Sequence, residues 1–190
     1  MLELPAQRPP QLDAILADAD RADFAMSCED RTGSLLATLA ASKPGGRFLE
    51  LGTGVGAGAA WLTAGMDDAS HLTTVEVDPG VQEIARRHLG RDPRIDFVTA
   101  DAGDWLSSAS GEYDFAYVDC RPGKYLRLDE LLALLAPGAL YVVDDMLPQA
   151  TWPEDHQPRV DGFLERLPEV PNLRATPMRW ASGLVVAARV

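Results

Sequence analysis

Two apolar runs end in carboxylates: "YDFAYVD" closes on Asp119, and "LYVVDD" closes on Asp144 and Asp145. Carboxylates gathered at one place repel one another unless a cation or protons compensate. Hard oxygen donors of this kind suit Mg2+ or another divalent ion. A second constellation is "LELGTGVGAG" at residues 49–58, where glycine recurs at 52, 54, 56 and 58. Glycine admits positive φ and close approach of other atoms, yet it costs about 0.5–1 kcal/mol against alanine in a regular element. The run therefore predicts a ligand against the backbone, with Gly58 already inside a helix start as a packing residue. A third candidate is Glu76 in "VEVD", which, with Val77 beside it, lies where an acid can accept both hydroxyls of a ribose.

These residues need elements to hold them. Short apolar runs at 47–51, 71–77, 94–98, 113–119 and 139–145 are each followed by Gly, Asp or Pro and read as strands. Helical patterns at 58–66, 80–89, 102–109 and 124–136 alternate with them, the last stopped by Pro137-Gly138. A further helix is expected near 11–24. Strands alternating with helices predict an α/β fold: a doubly wound, mostly parallel sheet with right-handed crossovers. After a loop with three prolines, a helix at 159–167 and two runs at 173–180 and 183–190, joined at Ala181-Ser182, predict an antiparallel hairpin. The expectation is a seven-stranded, Rossmann-like sheet in one domain spanning 1–190. Within it, 1–45 form an N-terminal helical and lid segment, 46–145 the cofactor-binding core, and 146–190 the substrate loop, helix and hairpin.

The bulk numbers narrow the partners. The 190 residues carry a formal net charge of −12, and the acidic excess lies in residues 1–145. No basic stripe is present to neutralise phosphates, which argues against nucleic acid as a partner. The first twenty residues lack a basic and then apolar export pattern, and no run is apolar enough to span a membrane. Cys28 and Cys120 have no CxxC spacing, which predicts free, small buried side chains and a cytoplasmic protein.

In an open parallel sheet, ligands sit beyond the carboxyl ends of the strands at the point where strand order reverses. The glycine run occupies such a position, and Gly52 to Ala57 satisfies the looser GxGxxA dinucleotide fingerprint. "ELGTGVGAG" is also similar to the E/D-x-G-x-G-x-G motif of class I S-adenosylmethionine-dependent methyltransferases. That resemblance implies that Glu50 lies near the methionine part of the cofactor and that Gly52, Thr53, Gly54 and Gly56 pack against it. A carboxylate suits a ligand with an amino group, a positive sulfur and no pyrophosphate. It also implies adenine contacts from Asp101 and Ala102 in "TADAGD", although Asp101 equally suits a helix N-cap.

Asp119, Asp144 and Asp145 resemble the divalent-cation-dependent, catechol O-methyltransferase-like branch, with Asp145 in place of its usual Asn. "AMSCEDRTGSLLATLAA" looks like that branch's segment before the first strand. The branch usually carries a lysine three residues after its first aspartate, where this chain has Pro122; the nearest lysine is Lys124, followed by the expected aromatic, Tyr125. If the turn at 121–123 brings it inward, Lys124 becomes the base or orienter; otherwise it is a solvated residue at a helix start. The resemblance implies methyl transfer in line to an oxygen of a small molecule, with S-adenosylmethionine as donor and a metal lowering the pKa of the hydroxyl. An NAD(P)-dependent oxidoreductase and a non-catalytic cofactor-binding module stay open as alternatives. His156 could be a loop base or idle. Phe24, Met26 and Trp152 fit an apolar lid, the core, or the contacts of a homodimer, whereas Trp61 and Trp105 read as packing.

Overall fold

A computed structural model describes residues 7–149 and 152–190, so the first six residues of the N-terminal stretch lie outside it. Seven strands form one sheet: β1 (Arg47–Leu51), β2 (His71–Glu76), β3 (Ile95–Thr99), β4 (Tyr113–Val118), β5 (Leu135–Val143), β6 (Leu173–Met178) and β7 (Leu184–Arg189). Their order is β3-β2-β1-β4-β5-β7-β6. The first five run parallel, and β7 pairs antiparallel with both β5 and β6. The reversal of order falls between β1 and β4, so the loops after these two strands face each other across a crevice. The terminal hairpin is as the sequence predicts.

Alternation along the strands explains the two covered faces. Phe48, Leu72, Phe115 and Val142 point to one side, where α2 (Asp30–Ala40), α3 (Ala57–Gly65) and α4 (Pro79–Leu89) pack with α1 (Leu12–Arg21). Leu49, Leu51, Val75, Val118 and Val143 point to the other, under α5 (Ala102–Ser108), α6 (Leu128–Ala133) and α7 (His156–Arg166). Trp61 is buried and Trp105 stacks beside Tyr113 with centroids 6.5 Å apart, so both are packing residues.

Helices α2 and α3 cross very closely. A Cβ on Gly33 would overlap the Trp61 indole, and one on Gly65 would overlap the Ala37 backbone carbonyl. Backbone cannot swing aside as a side chain can, so overpacking costs about 1–3 kcal/mol here. Gly65→Ala is expected to lower the thermal midpoint by several degrees. An unchanged melting curve would mean that the two helices are not held this tightly.

One stretch departs from expectation. The helix predicted at 124–136 shrinks to α6, and Pro137-Gly138 lies inside β5 instead of stopping a helix. Arg127, at φ +59°, sets the start of α6, because an α-helix cannot run through a left-handed residue. At the other end, Tyr113 pairs with Leu135 and then Phe115 with Leu140, so residues 136–139 bulge out of the ladder. Gly138 takes up φ +81° within that bulge.

Candidate functional site

The β1–α3 loop is shaped first by its own protein neighbours. Gly52 and Thr53 donate their backbone N–H to the Val75 carbonyl at 2.9 and 3.1 Å, which folds the loop back over the end of β2. Gly52 has φ +96°, and a Cβ on it would lie 3.0 Å from the Asp119 carbonyl oxygen. Gly56, at φ +95°, precedes α3, and a Cβ there would lie 2.7 Å from Ala85 Cβ on α4. Both glycines thus answer to strand and helix packing before any ligand arrives. The Thr53 hydroxyl meets Thr74 Oγ1 at 2.6 Å and accepts from Gln82 Nε2 at 3.3 Å. Sequence reasoning missed Thr74 and Gln82; their signal was a polar residue at an inward strand position and another on the buried stripe of α4.

Glu50 is fully buried beneath this loop. Its Oε2 accepts from Thr74 Oγ1 at 2.5 Å, and its Oε1 is buried with no hydrogen-bond partner among the described residues. Burial, reinforced by the charges of Asp119 and Glu76, pushes the carboxyl up to about 8, against the opposing pull of the Thr74 hydrogen bond. A Cβ on Gly58 would overlap Glu50 Oε1, so this glycine makes room for the carboxylate. Beside Glu50 a small cavity of about 20 Å³ is bounded by the glycine loop, Tyr117 and the segment Met26–Cys28. Phe24 lies against the loop, its ring 3.3 Å from where a Gly54 Cβ would stand, while Met26 is 77% exposed. Of the three apolar residues singled out from the sequence, Phe24 thus packs on the glycine loop, whereas Trp152 packs on His156. A larger groove of about 640 Å³ near Pro10, Ala60 and Arg94 contains none of the motif residues.

Glu76 ties β2 to the loop. Its Oε2 accepts from Gly54 N at 2.9 Å, and its Oε1 accepts from Val77 N at 2.9 Å and Asp78 N at 3.1 Å. Val77 next to it is 63% exposed. Asp101 is the N-cap of α5, with Oδ1 accepting from Gly103 N at 2.7 Å and Asp104 N at 3.0 Å, and Ala102 is buried behind it. Glu50 and Glu76 lie at the carboxyl ends of β1 and β2, and Asp101 lies just past β3, along one edge of the sheet.

At the ends of β4 and β5 the acids meet a lysine. Lys124 is only 4% exposed, and its Nζ donates to the Asp144 backbone carbonyl at 2.7 Å. It comes inward because residues 121–126 form a tight turn: Gly123 N donates to the Leu126 carbonyl at 2.7 Å, and the Tyr141 hydroxyl donates to the Gly123 carbonyl. The Asp144 carboxylate is 3% exposed and fully engaged. Oδ2 accepts from the Tyr117 hydroxyl at 2.9 Å; Oδ1 accepts from the Ser182 hydroxyl and from Asp145 N at 2.8 Å. Burial drives the Asp119 carboxyl well above the usual range, the Asp144 charge adds to this, and the Lys124 ammonium opposes it. Asp145 is raised for the same first reason and opposed by the same ammonium. The Tyr125 hydroxyl and His156 Nε2 are 3.4 Å apart, and Trp152 stacks on His156 at 4.1 Å between centroids. Burial and the nearby Lys124 charge hold His156 below its ordinary value.

Residues 49–146, just over half of the chain, match the family model described as a methyltransferase domain. The chain belongs to this methyltransferase family. The methyltransferase is 36% identical over 125 residues to a putative O-methyltransferase of Mycolicibacterium smegmatis, covering 62% of this chain and 60% of that protein. It is 30% identical over 144 residues to a catechol O-methyltransferase of Mycobacterium tuberculosis, covering 73% and 66%. It thus spans less than two thirds of the length of these curated relatives. Its fold matches the O-methyltransferase from Bacillus cereus solved in complex with SAH, with a TM-score of 0.84 at 22% identity over 95% of this chain and 90% of that one.

The acidic end of this methyltransferase offers a divalent cation no assembled set of ligands. Asp119, Asp144 and Asp145 come to neighbouring strand ends, as expected, but both oxygens of Asp144 already serve buried donors. Among the described residues no group of three His, Cys, Asp or Glu side chains could hold a metal ion. No described helix is long and apolar enough to cross a membrane.

Proposed function

We propose that this methyltransferase binds S-adenosylmethionine along the β1–β3 edge and transfers its methyl group to an oxygen of a small molecule. The acceptor is held at the ends of β4 and β5. Glu50 takes the amino-acid end of the cofactor, Gly52, Thr53, Gly54 and Gly56 line its path, Glu76 accepts the ribose hydroxyls beside Val77, and Asp101 with Ala102 meets the adenine. Asp119 and Lys124 face the acceptor, with Trp152 and His156 of the following segment beside it. The observation that carries this reading is the buried Glu50 carboxylate, which has an unpartnered oxygen beside the glycine loop. A cationic amino group satisfies that oxygen and draws off the proton, whereas the pyrophosphate of a nicotinamide cofactor gains nothing from a buried acid. The net charge of −12 speaks for a small acceptor over nucleic acid.

Calorimetry with S-adenosylhomocysteine tests the reading and carries a pH signature. In the free protein Glu50 keeps its proton up to about 8, well above the ordinary value of 4.5. The unfolded chain has lost that proton by pH 6, so the raised value costs stability as pH climbs from about 4.5 to about 8. A ligand ammonium beside Glu50 favours the ionised form, so binding releases a proton throughout that window. Affinity is expected to rise with pH from 6 to 8, by at most about tenfold per unit, and then to level off. Thr74, Asp119 and Glu76 are the polar and charged groups that set the midpoint. Glu50→Gln should flatten the profile. Absence of binding at every pH would overturn the assignment.

A further inference from the structure

We propose that the Lys124 ammonium is this chain's own resident cation at the acidic strand ends, so that methyl transfer proceeds without a divalent metal. The inference rests on the methyltransferase reading and concerns how the same site balances its charge. Three acids reach the ends of β4 and β5, and protons or a positive group must offset them. A hard divalent ion needs carboxylate lone pairs turned toward it. Three of the roughly four lone-pair sites of Asp144 serve the Tyr117 and Ser182 hydroxyls and Asp145 N, which leaves a depleted donor set that a neighbouring ammonium can keep closed to a metal. Asp145 itself sits at φ +61°, a left-handed turn that bends the chain away directly after Asp144.

Lys124 is placed to fill that role, with its Nζ on the Asp144 backbone carbonyl. It is almost completely buried, which an ammonium tolerates only where negative charge or good acceptors surround it. Its stem is fixed by the 121–126 turn, which the Tyr141 hydroxyl ties to the sheet through Gly123. One of its three N–H groups goes to the Asp144 carbonyl, and the others have no hydrogen-bond partner among the described residues. They are thus available to an oxygen of the acceptor. The resemblance to the catechol O-methyltransferase-like branch implies a lysine two residues earlier, where this chain has Pro122, and the turn brings Lys124 inward instead.

The test reads metal binding directly. Mn2+ is titrated by electron paramagnetic resonance into the full chain with S-adenosylhomocysteine present, using wild type, Lys124→Met and Lys124→Arg. The wild type and the arginine variant are expected to leave the free Mn2+ signal undiminished. Lys124→Met keeps the stem but removes the charge, and it should gain a site with Kd on the order of 1 mM or tighter. One Mn2+ bound per wild-type chain and lost in Asp119→Asn would overturn the proposal. So would a folded Lys124→Met, checked by circular dichroism, that gains no site. Methyl transfer to catechol, where it is seen, should keep its rate within about twofold when EDTA replaces Mg2+; collapse in EDTA also counts against the proposal. Failure of S-adenosylhomocysteine to bind strikes the methyltransferase reading alone, since the Mn2+ titration without it still reports on Lys124.

Discussion

Asp144→Ala should unfold at markedly lower denaturant than the wild type, with a loss of about 3–5 kcal/mol. The variant removes an acceptor from three donors at once: the Tyr117 hydroxyl, the Ser182 hydroxyl and Asp145 N. A buried donor left without a partner costs about 1–3 kcal/mol, more than the hydrogen bond itself contributes net. Tyr117 and Ser182 are both buried, so water cannot fully replace the lost oxygen. Losses of this size come only from a short set of causes, and breaking a buried polar network is one of them. The thermal midpoint should fall by about 10 °C. Asp144→Asn keeps one carbonyl oxygen and should lose less. A midpoint within about 2 °C of wild type for the alanine variant would refute the network as the anchor between β4, β5 and the β6–β7 turn.

Glu76→Ala should weaken S-adenosylhomocysteine binding by about 100-fold while lowering stability far less. Hydrogen bonds to a charged group are each worth about 1.5–3 kcal/mol, and two ribose hydroxyls together reach the factor stated. Part of the loss comes before the ligand arrives. The Glu76 carboxylate holds Gly54 N at 2.9 Å, and without it the loop has to be ordered at the moment of binding. The Val77 and Asp78 amides that it also holds are exposed, so water can take over there with little cost. Glu76→Gln should fall between the two. Calorimetry on all three proteins, with melting curves as control, separates the effects. Equal losses in binding and stability would make Glu76 a structural brace with no ligand contact.

Much of this was legible in the chain itself. The strands at 47–51, 71–77 and 113–119 announce themselves because apolar residues alternate or run together between turn residues, and periodicity survives without tertiary information. Glu50, Glu76 and Asp101 could be placed because each lies at or just past the end of a strand, and strand ends in such a sheet share one edge. The stretch from 121 to 139 could not be read this way. Its "LDELLALLA" has strong helical propensity, yet a left-handed Arg127 at one end and the β4–β5 pairing at the other leave only six helical residues. Lys124 was named, but its direction depends on a turn whose Gly123 carbonyl is held by Tyr141, 18 residues on in β5. The role of Ser182 was equally hidden, because its partner Asp144 is far off in sequence and near only through the β5–β7 pairing. Contacts between distant residues carry no local signature.

The fit between Glu50 and Gly58 has a consequence for reading other chains. The carboxylate of Glu50 occupies the very space that a side chain at position 58 would need. The two positions therefore share one fixed volume, and neither is free to drift alone. Where a relative places alanine or serine at the position of Gly58, its acid at the position of Glu50 should be the shorter aspartate, or α3 should stand further from β1. The last glycine of the run is thus a record of the acid's length, legible as covariation long before any ligand is seen.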